Sequence, residues 1–272
     1  MSNTPIALTI AGSDSGGGAG IQADIKAMSA TGSYACSVIT ALTAQNTLGV
    51  TGVLPVADTF IQQQFDAVFS DLDIKAVKIG MLGDVATIKA VAAAIKKYQP
   101  AYVVLDPVMV ATSGDLLLET DAVDTLIKEL LPLAHVITPN LHEANALLGR
   151  DPKALPQSDA DMREVCQQLM SLGCQSVLLK GGHQEGDMAT DYWQSADEVQ
   201  TFSHPRIATE NTHGTGCTLS ASIASYLAQG ASMAEAIRQS KDYLHGAIAH
   251  ANDLEIGAGA GPVHHFFRQN NG

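Results

Sequence analysis

The sequence predicts an α/β fold: a mainly parallel central sheet, helices on both faces and a small antiparallel hairpin. Three observations predict it. Short apolar runs alternate with helix-spaced segments along most of the 272 residues, the βαβ rhythm of a parallel sheet. The apolar content is aliphatic, 46% hydrophobic against 5% aromatic, as strands buried on both faces require. The segment Asp187–Phe202 departs from the rhythm and reads as two strands in succession, MATDYWQ and EVQTFS, joined by Ser195-Ala196-Asp197.

Ile6–Ala11 is predicted as the first strand and runs into a glycine-rich turn, followed by a helix over Gln22–Ala30. Val38–Ala41 is the next strand, and Thr59–Ser70 has helical spacing. Lys75–Ile79 is a strand ending in a glycine-containing turn, and Val85–Tyr98 a helix. Tyr102–Leu105 is a buried strand closed by Asp106-Pro107. Helix Asp121–Leu131, strand His135–Thr138 and helix Asn140–Leu148 follow, then helix Met162–Leu172 and strand Ser176–Lys180. After the hairpin, helices over about Thr215–Gln229 and about Met233–Ala251 finish the chain. Asp151–Ser158 is proline-bearing but short and reads as a loop, so residues 1–272 are expected to form one domain.

The formal net charge of −13 argues against a nucleic-acid surface, which needs clustered Lys and Arg. It also means that an anionic substrate must be held locally, because the overall field opposes it. Cys36, Cys166, Cys174 and Cys217 have neither metal-type nor disulfide-framework spacing. The opening MSNTPIALTI lacks the features of a signal peptide, and no apolar run approaches about 18 residues. A reduced, cytoplasmic protein without a membrane span is expected.

In open parallel sheets ligands sit beyond the carboxyl ends of the strands. The chemistry-bearing segments fall there: Gly12–Gly20, Gly80–Gly83, Asp106–Gly114, Thr138–Glu143 and Lys180–His183. Gly18-Ala19-Gly20-Ile21-Gln22-Ala23 fits a dinucleotide-type G-x-G-x-x-A turn. That site also needs an acidic ribose partner about 20 residues on, and Ile25–Ala57 contains no Asp or Glu, so a nicotinamide dehydrogenase is disfavoured. No Gly-Lys-Ser/Thr follows, so a Walker loop is excluded. The turn remains either a tight strand-to-helix connection or a substrate loop. Asp24, in the expected first helical turn, either caps that helix or accepts a ligand hydrogen bond.

Asn211-Thr212-His213-Gly214-Thr215-Gly216-Cys217 precedes a helix rich in small residues. Its glycines allow a tight turn with consecutive N–H groups exposed, and a helix N-terminus attracts anions, here a phosphoryl group in transfer. Cys217, in the first turn, is expected to have a lowered pKa suited to a general base; the alternative is a small buried thiol. Asp106 is either a Mg²⁺-holding carboxylate or a turn starter. Asn140 and Glu143 have the spacing of a capping box and equally of phosphate and metal ligands. Lys180 is either a phosphate cation or a solvated strand end. His264 and His265, being adjacent, read as C-terminal packing or solvent contacts.

The segments AGSDSGGGAGIQADIKA, ALTAQNT, VKIGMLG, VLDPVMVATSG, ITPNLHEA, LLKGGH, NTHGTGCTLS and GPVHHFF, in that order along the whole chain, resemble the ribokinase superfamily. Within it they resemble the hydroxymethylpyrimidine/phosphomethylpyrimidine kinases of thiamine biosynthesis. The resemblance implies a ribokinase-like fold, ATP and Mg²⁺ as cofactors, and a homodimer. It makes Cys217 the base, where most sugar kinases carry Asp, and Gly214, Thr215 and Gly216 the anion hole. Gln45 becomes the pyrimidine-reading amide, with Gly12, Asp24, Met81 and Val108 the rest of the substrate pocket. Asp106 and Glu143 become the metal side, with Lys180, Asn140 and Thr212 on the ATP phosphates. The activity implied is phosphorylation of 4-amino-5-hydroxymethyl-2-methylpyrimidine and then of its monophosphate. A pyridoxal or pyridoxine kinase and a non-catalytic pyrimidine sensor are the competing readings.

Overall fold

The structure is a computed structural model and describes residues 4–109, 121–151, 155–156, 158–182 and 186–269. Of the expected site segments, residues 110–114 and His183 lie outside the described residues, as does part of the loop 151–158.

Among the described residues, nine strands form one sheet. In chain order the elements begin β1 (Ile6–Asp14), α1 (Gly20–Ala30), β2 (Tyr34–Asn46), β3 (Gly49–Pro55), α2 (Asp58–Phe69), β4 (Ala76–Ile79) and α3 (Val85–Tyr98). They continue β5 (Tyr102–Leu105), α4 (Ala122–Glu129), β6 (Val136–Ile137), α5 (Leu141–Leu147), α6 (Asp159–Met170) and β7 (Ser176–Leu179). The hairpin β8 (Met188–Ser195) and β9 (Val199–Pro205) and the helices α7 (Thr215–Ala228) and α8 (Met233–Ala249) complete the set. The strand order is β3-β2-β1-β4-β5-β6-β7-β8-β9. Pairing is parallel from β2 through β7 and antiparallel at the two edges, β3 on one side and the β8–β9 hairpin on the other.

Alternation along the strands sorts side chains between two cores. Leu8, Ile10, Val77, Ile79, Val103 and Leu105 point to the layer formed by α2 to α6. Ala7, Ala76, Val104, Val136 and Leu178 point to the layer of α1, α7 and α8. The second layer takes small strand residues because α7 lies flat on β1, β4 and β5. That helix buries Ser220, Ser222 and Ser225 completely. Their hydroxyls bond back to helix carbonyls, Ser222 Oγ to Thr218 O at 2.8 Å, or across to the end of α1, where Thr31 Oγ1 donates to Ser225 Oγ at 2.7 Å.

The sheet agrees with the expected fold class and corrects several boundaries. The first strand runs on through Gly12 to Asp14 because β2 pairs alongside it, with a register shift between Ala11 and Ser13. The second strand spans Tyr34–Asn46, not Val38–Ala41, and β3 had no counterpart in the sequence reading. The helix expected over Asp121–Leu131 ends at Glu129 and gives way to a 3-10 turn, Leu131–Leu133, carrying Pro132. His264 and His265 are buried, His265 Nε2 lying 3.0 Å from Thr218 Oγ1, so of their two readings packing is the observed one.

Candidate active site

The carboxyl ends of the parallel strands border a cavity of about 900 Å³. Gly12, Gln45, Met81 and Val108 line it, as do Asp106, Asn140, Glu143 and Lys180, and as does the turn Thr212–Cys217. All the expected site residues but one therefore meet in one space. The exception is Asp24. It is fully buried on α1 and does not line the cavity; Lys78 Nζ donates to its two oxygens at 2.9 and 2.8 Å, and Thr9 Oγ1 donates to Oδ2 at 2.5 Å. Nor does it cap α1, which starts at Gly20 after Ala19 with no side-chain cap. Asp24 lies a full turn inside α1, too far along to cap it, and the lysine inside the sheet holds its carboxylate away from the cavity.

Two glycines set the cavity's shape. Gly20 has φ +54°, and a Cβ there would lie 2.3 Å from Gly12 O. Gly214 has φ +80°, and its Cβ would lie 1.9 Å from Gly18 O. Only glycine fits either place, so the loop after β1 and the turn before α7 touch backbone to backbone. Gly12 has a related role: a Cβ there would stand 2.9 Å from Met81 Cε, so the missing side chain leaves room for Met81. The Gln45 amide is oriented by Thr43, whose hydroxyl donates to Oε1 at 3.1 Å.

The charged cluster is built from three strand ends. Asp106 follows β5 and is buried; Thr138 Oγ1, after β6, and Lys180 Nζ, after β7, each donate to its Oδ1 at 3.0 Å. Lys180 Nζ lies 3.8 Å from Glu143 Oε2. Asn140 and Glu143 form a complete capping box on α5, the Glu143 N–H donating to Asn140 Oδ1 at 2.9 Å and the Asn140 N–H to Glu143 Oε2 at 2.7 Å. The cap and the site are thus one arrangement, because the cap aims Glu143 at Lys180. Lys180 is tethered in turn, its N–H donating to Pro139 O at 2.9 Å. It is a largely buried cation paired to Asp106, not a solvated strand end.

Helix α7 opens onto this cluster. A Cβ on Gly216 would sit 3.3 Å from Lys180 Nζ and 3.6 Å from Asp106 Oδ2. One turn later Ser220 Oγ donates to Asp106 Oδ2 at 3.4 Å. The first N–H groups of a helix have no intrahelical acceptor, which leaves donors directed at this space. The N–H of Thr215 already makes a long contact of 3.3 Å with Thr212 O.

Charge state follows from these contacts. Burial pushes the Asp106 pKa up, but the positive charges of Lys180 and Lys78 and the bonds from Lys180 and Thr138 outweigh it and hold it below the ordinary value. Glu143 moves the other way, to about 7, through burial and the nearby Asp106 charge, against the pull of Lys180. The lowered pKa expected for Cys217 is not found. Burial raises it to about 11 and Asp24 and Asp106 add to the rise, while Lys78 and the Gly20 N–H oppose it. The helix terminus is outweighed by the loss of water and two carboxylates.

The residues fit a Mg²⁺ ion that keeps most of its waters. Among the described residues no three His, Cys, Asp or Glu side chains gather as a metal cage. Asp106 and Glu143 instead flank Lys180, which suits an ion bound through one or two carboxylates and substrate phosphates.

Lys78 was missed in the sequence. It lines the cavity wall and is fully buried on β4; burial disfavours its charge, but Asp24, then Cys217 and Asp106, outweigh it and keep it protonated. Its signal was a lone cation inside the buried run Ala76–Ile79. Asp14 and His213 were also passed over, although both line the cavity and their side chains lie 3.0 Å apart. Asp191 and Lys241, paired at 2.6 Å, were missed too; Asp191 Oδ1 accepts the N–H of Gly181, next to Lys180.

Known proteins resemble this chain along nearly its whole length. The phosphomethylpyrimidine kinase family model matches residues 14–264. A hydroxymethylpyrimidine/phosphomethylpyrimidine kinase of Rhizobium meliloti is 56% identical over 265 residues, covering 97% of this chain and 98% of its own. The enzyme of the same name from Escherichia coli is 50% identical over 260 residues, covering 96% and 97%. Among solved structures, an ADP complex of Bacillus subtilis pyridoxal kinase superposes with a TM-score of 0.89 at 35% identity, covering 99% of this chain and 100% of that one. A phosphomethylpyrimidine kinase from Clostridium difficile superposes with a TM-score of 0.78 at 44% identity, covering 89% and 99%. With its sheet, its helix mouth over a buried lysine–carboxylate cluster and relatives matched over nearly their full length, the chain belongs to the phosphomethylpyrimidine kinase family.

Proposed function

We propose that this chain, acting as one domain over residues 1–272, transfers the γ-phosphoryl group of ATP to 4-amino-5-hydroxymethyl-2-methylpyrimidine and then to its monophosphate, in thiamine biosynthesis. The observation that carries the reading is the mouth of α7 facing the Asp106–Lys180 pair inside the cavity that Gln45 and Met81 also line. A donor-rich helix start, a buried cation and two carboxylates are the parts that phosphoryl transfer needs, because its catalysis is mostly positioning and charge stabilisation.

In the proposed reaction Gln45 reads the ring, donating to a ring nitrogen and accepting from the exocyclic amine. Met81 and Val108 hold the flat ring by apolar contact, across the space Gly12 leaves open. The hydroxymethyl oxygen bonds to the γ-phosphorus as the bond to the β,γ-bridging oxygen breaks, and ADP leaves with that electron pair. The hydroxyl proton passes to the sulfur of Cys217 in its thiolate form. N–H groups of Gly214, Thr215 and Gly216 donate to the transferring group, while Lys180, Asn140 and Thr212 contact the ATP phosphates. Asp106 and Glu143 would hold Mg²⁺ through its waters; when bound, the ion supplies positive charge beside the phosphates.

The test is a panel of hydroxymethyl-bearing rings given with ATP, the products weighed by mass spectrometry. The pyrimidine should gain one phosphate and then a second. Turnover of other alcohols with none of the pyrimidine would overturn the reading. Phosphorylation of pyridoxal is the second reading, favoured by the 0.89 TM-score of the pyridoxal kinase; the ratio of kcat/KM for the two rings decides between them. The proposal extends to a cytoplasmic homodimer. Its support is four unpaired cysteines and the exposed Leu48, Val53 and Leu54 at the β2–β3 edge, and sedimentation tests the assembly.

A further inference from the structure

The loop after β1 and the turn before α7 come from opposite ends of the chain, and Asp14 joins them. Its Oδ2 accepts the N–H of Gly18 at 3.0 Å and of Ala19 at 2.8 Å, and its Oδ1 that of Gly16 at 2.8 Å. The same Oδ2 lies 3.0 Å from Nε2 of His213, and both side chains are almost fully buried, 3% and 11% exposed. Burial pushes the Asp14 pKa up, but the bonds from His213, Ala19 and Gly16 outweigh it and hold it below the ordinary value. Asp14 is therefore an acceptor, and His213 donates from Nε2. The His213 backbone is fixed independently, its N–H donating to Gly261 O at 3.1 Å.

Two glycines make the fit around this bond tight. A Cβ on Gly18 would lie 2.3 Å from His213 Cδ2, and one on Gly214 would lie 1.9 Å from Gly18 O. His213 immediately precedes the Gly214–Gly216 donors. Its ring is therefore pinned to the loop after β1, while its backbone leads into the turn that faces Lys180.

We propose that Asp14 and His213 form a latch that sets the distance between the glycine-rich loop and the phosphate-facing turn, which makes His213 a positioning residue for phosphoryl transfer. Its Nε2 proton is committed to Asp14, so it acts through the backbone it anchors. Misplacing reacting groups by about 1 Å costs on the order of 10²-fold in rate. The inference rests on the reading of Gly214–Cys217 as the phosphate-holding turn.

The test compares His213→Leu, which removes the donor, with His213→Gln, whose amide N–H reaches the same carboxylate. In steady-state turnover of ATP and the hydroxymethylpyrimidine, the Leu variant should lose about 10- to 100-fold in kcat. KM for each substrate should stay within about threefold, the pattern of a lost transition-state contribution, and Gln should restore most of the rate. Asp14→Asn is the second variant, and its loss should overlap that of His213→Leu in the double variant instead of multiplying with it. A parent-like kcat in the Leu variant, equal losses in Leu and Gln, or a rise in KM with kcat kept would each overturn the latch. If His213→Leu does not fold, a parent-like kcat in Asp14→Asn would overturn it and a selective kcat loss would support it. A parent protein that turned over no ATP would overturn the phosphate-hole reading and the latch together.

Discussion

The sulfur of Cys217 stands where two influences of opposite sign meet. Lys78 and the Gly20 N–H favour a thiolate, while burial, Asp24 and Asp106 disfavour it and prevail, at a pKa of about 11. A base that is mostly protonated near neutral pH gains effective concentration as pH rises. If the thiolate accepts the substrate proton, kcat/KM should climb about tenfold per unit between about pH 7 and about pH 9, and a flat profile would reduce the thiol to a hydrogen-bonding group. Cys217→Ser should lower kcat by on the order of 10²–10⁴-fold with KM largely kept, read by steady-state kinetics. Lys78 is the second residue whose surroundings decide its behaviour. Removing one partner of a fully buried pair leaves an uncompensated charge. Lys78→Met should therefore lose about 3–5 kcal/mol in urea unfolding, and Lys78→Met with Asp24→Leu should recover much of it. Asp106, Lys180 and Cys217 were legible as candidates because each punctuates a pattern at an element's end. Lys78 was not, since only the pairing of β4 beside β1 and the approach of α1 turn a charge in an apolar run into half of an ion pair.

Helix α5 carries both a fold signal and a site. Its Asn140–Glu143 spacing had two readings in the sequence, cap or ligand, and the structure joins them: the box closes, and its Glu143 side chain reaches Lys180. Asn140→Ala should cost about 1 kcal/mol of stability in thermal or denaturant unfolding, as lost N-caps do. It should also raise KM for ATP, since the Asn140 side chain is proposed to contact the ATP phosphates while the backbone bond from Asn140 N–H to Glu143 Oε2 survives the change; an unchanged KM would confine Asn140 to the cap. Elements with strong periodicity or clear punctuation were read well: α3 and β5 begin and end where the sequence placed them. The missed strand β3 carries Gly49, Gly52 and Pro55 and buries no residue fully, so it has neither strand composition nor a buried face to betray it. It exists because the long β2 offers it an antiparallel partner, from Ala41↔Pro55 to Asn46↔Gly49.

Over the whole molecule, a net charge of −13 surrounds a site proposed to take an anion. Salt screens such repulsion, with a Debye length of about 8 Å at physiological ionic strength. Raising monovalent salt toward that level should increase kcat/KM for ATP at saturating Mg²⁺, and a fall would mean that Lys180 and Lys78 dominate the approach. The sequence by itself determined the α/β class, the parallel rhythm with its antiparallel hairpin, and the segments at the strand ends where the cavity lies. These depend on local periodicity and turn chemistry, which neighbouring residues encode. Only the tertiary structure decided that Asp24 is spent on Lys78, that the Cys217 thiol is raised instead of lowered, and that Asp14 reaches His213 from the other end of the chain. Those outcomes depend on which charges share a low-dielectric interior, and that follows from packing between distant segments.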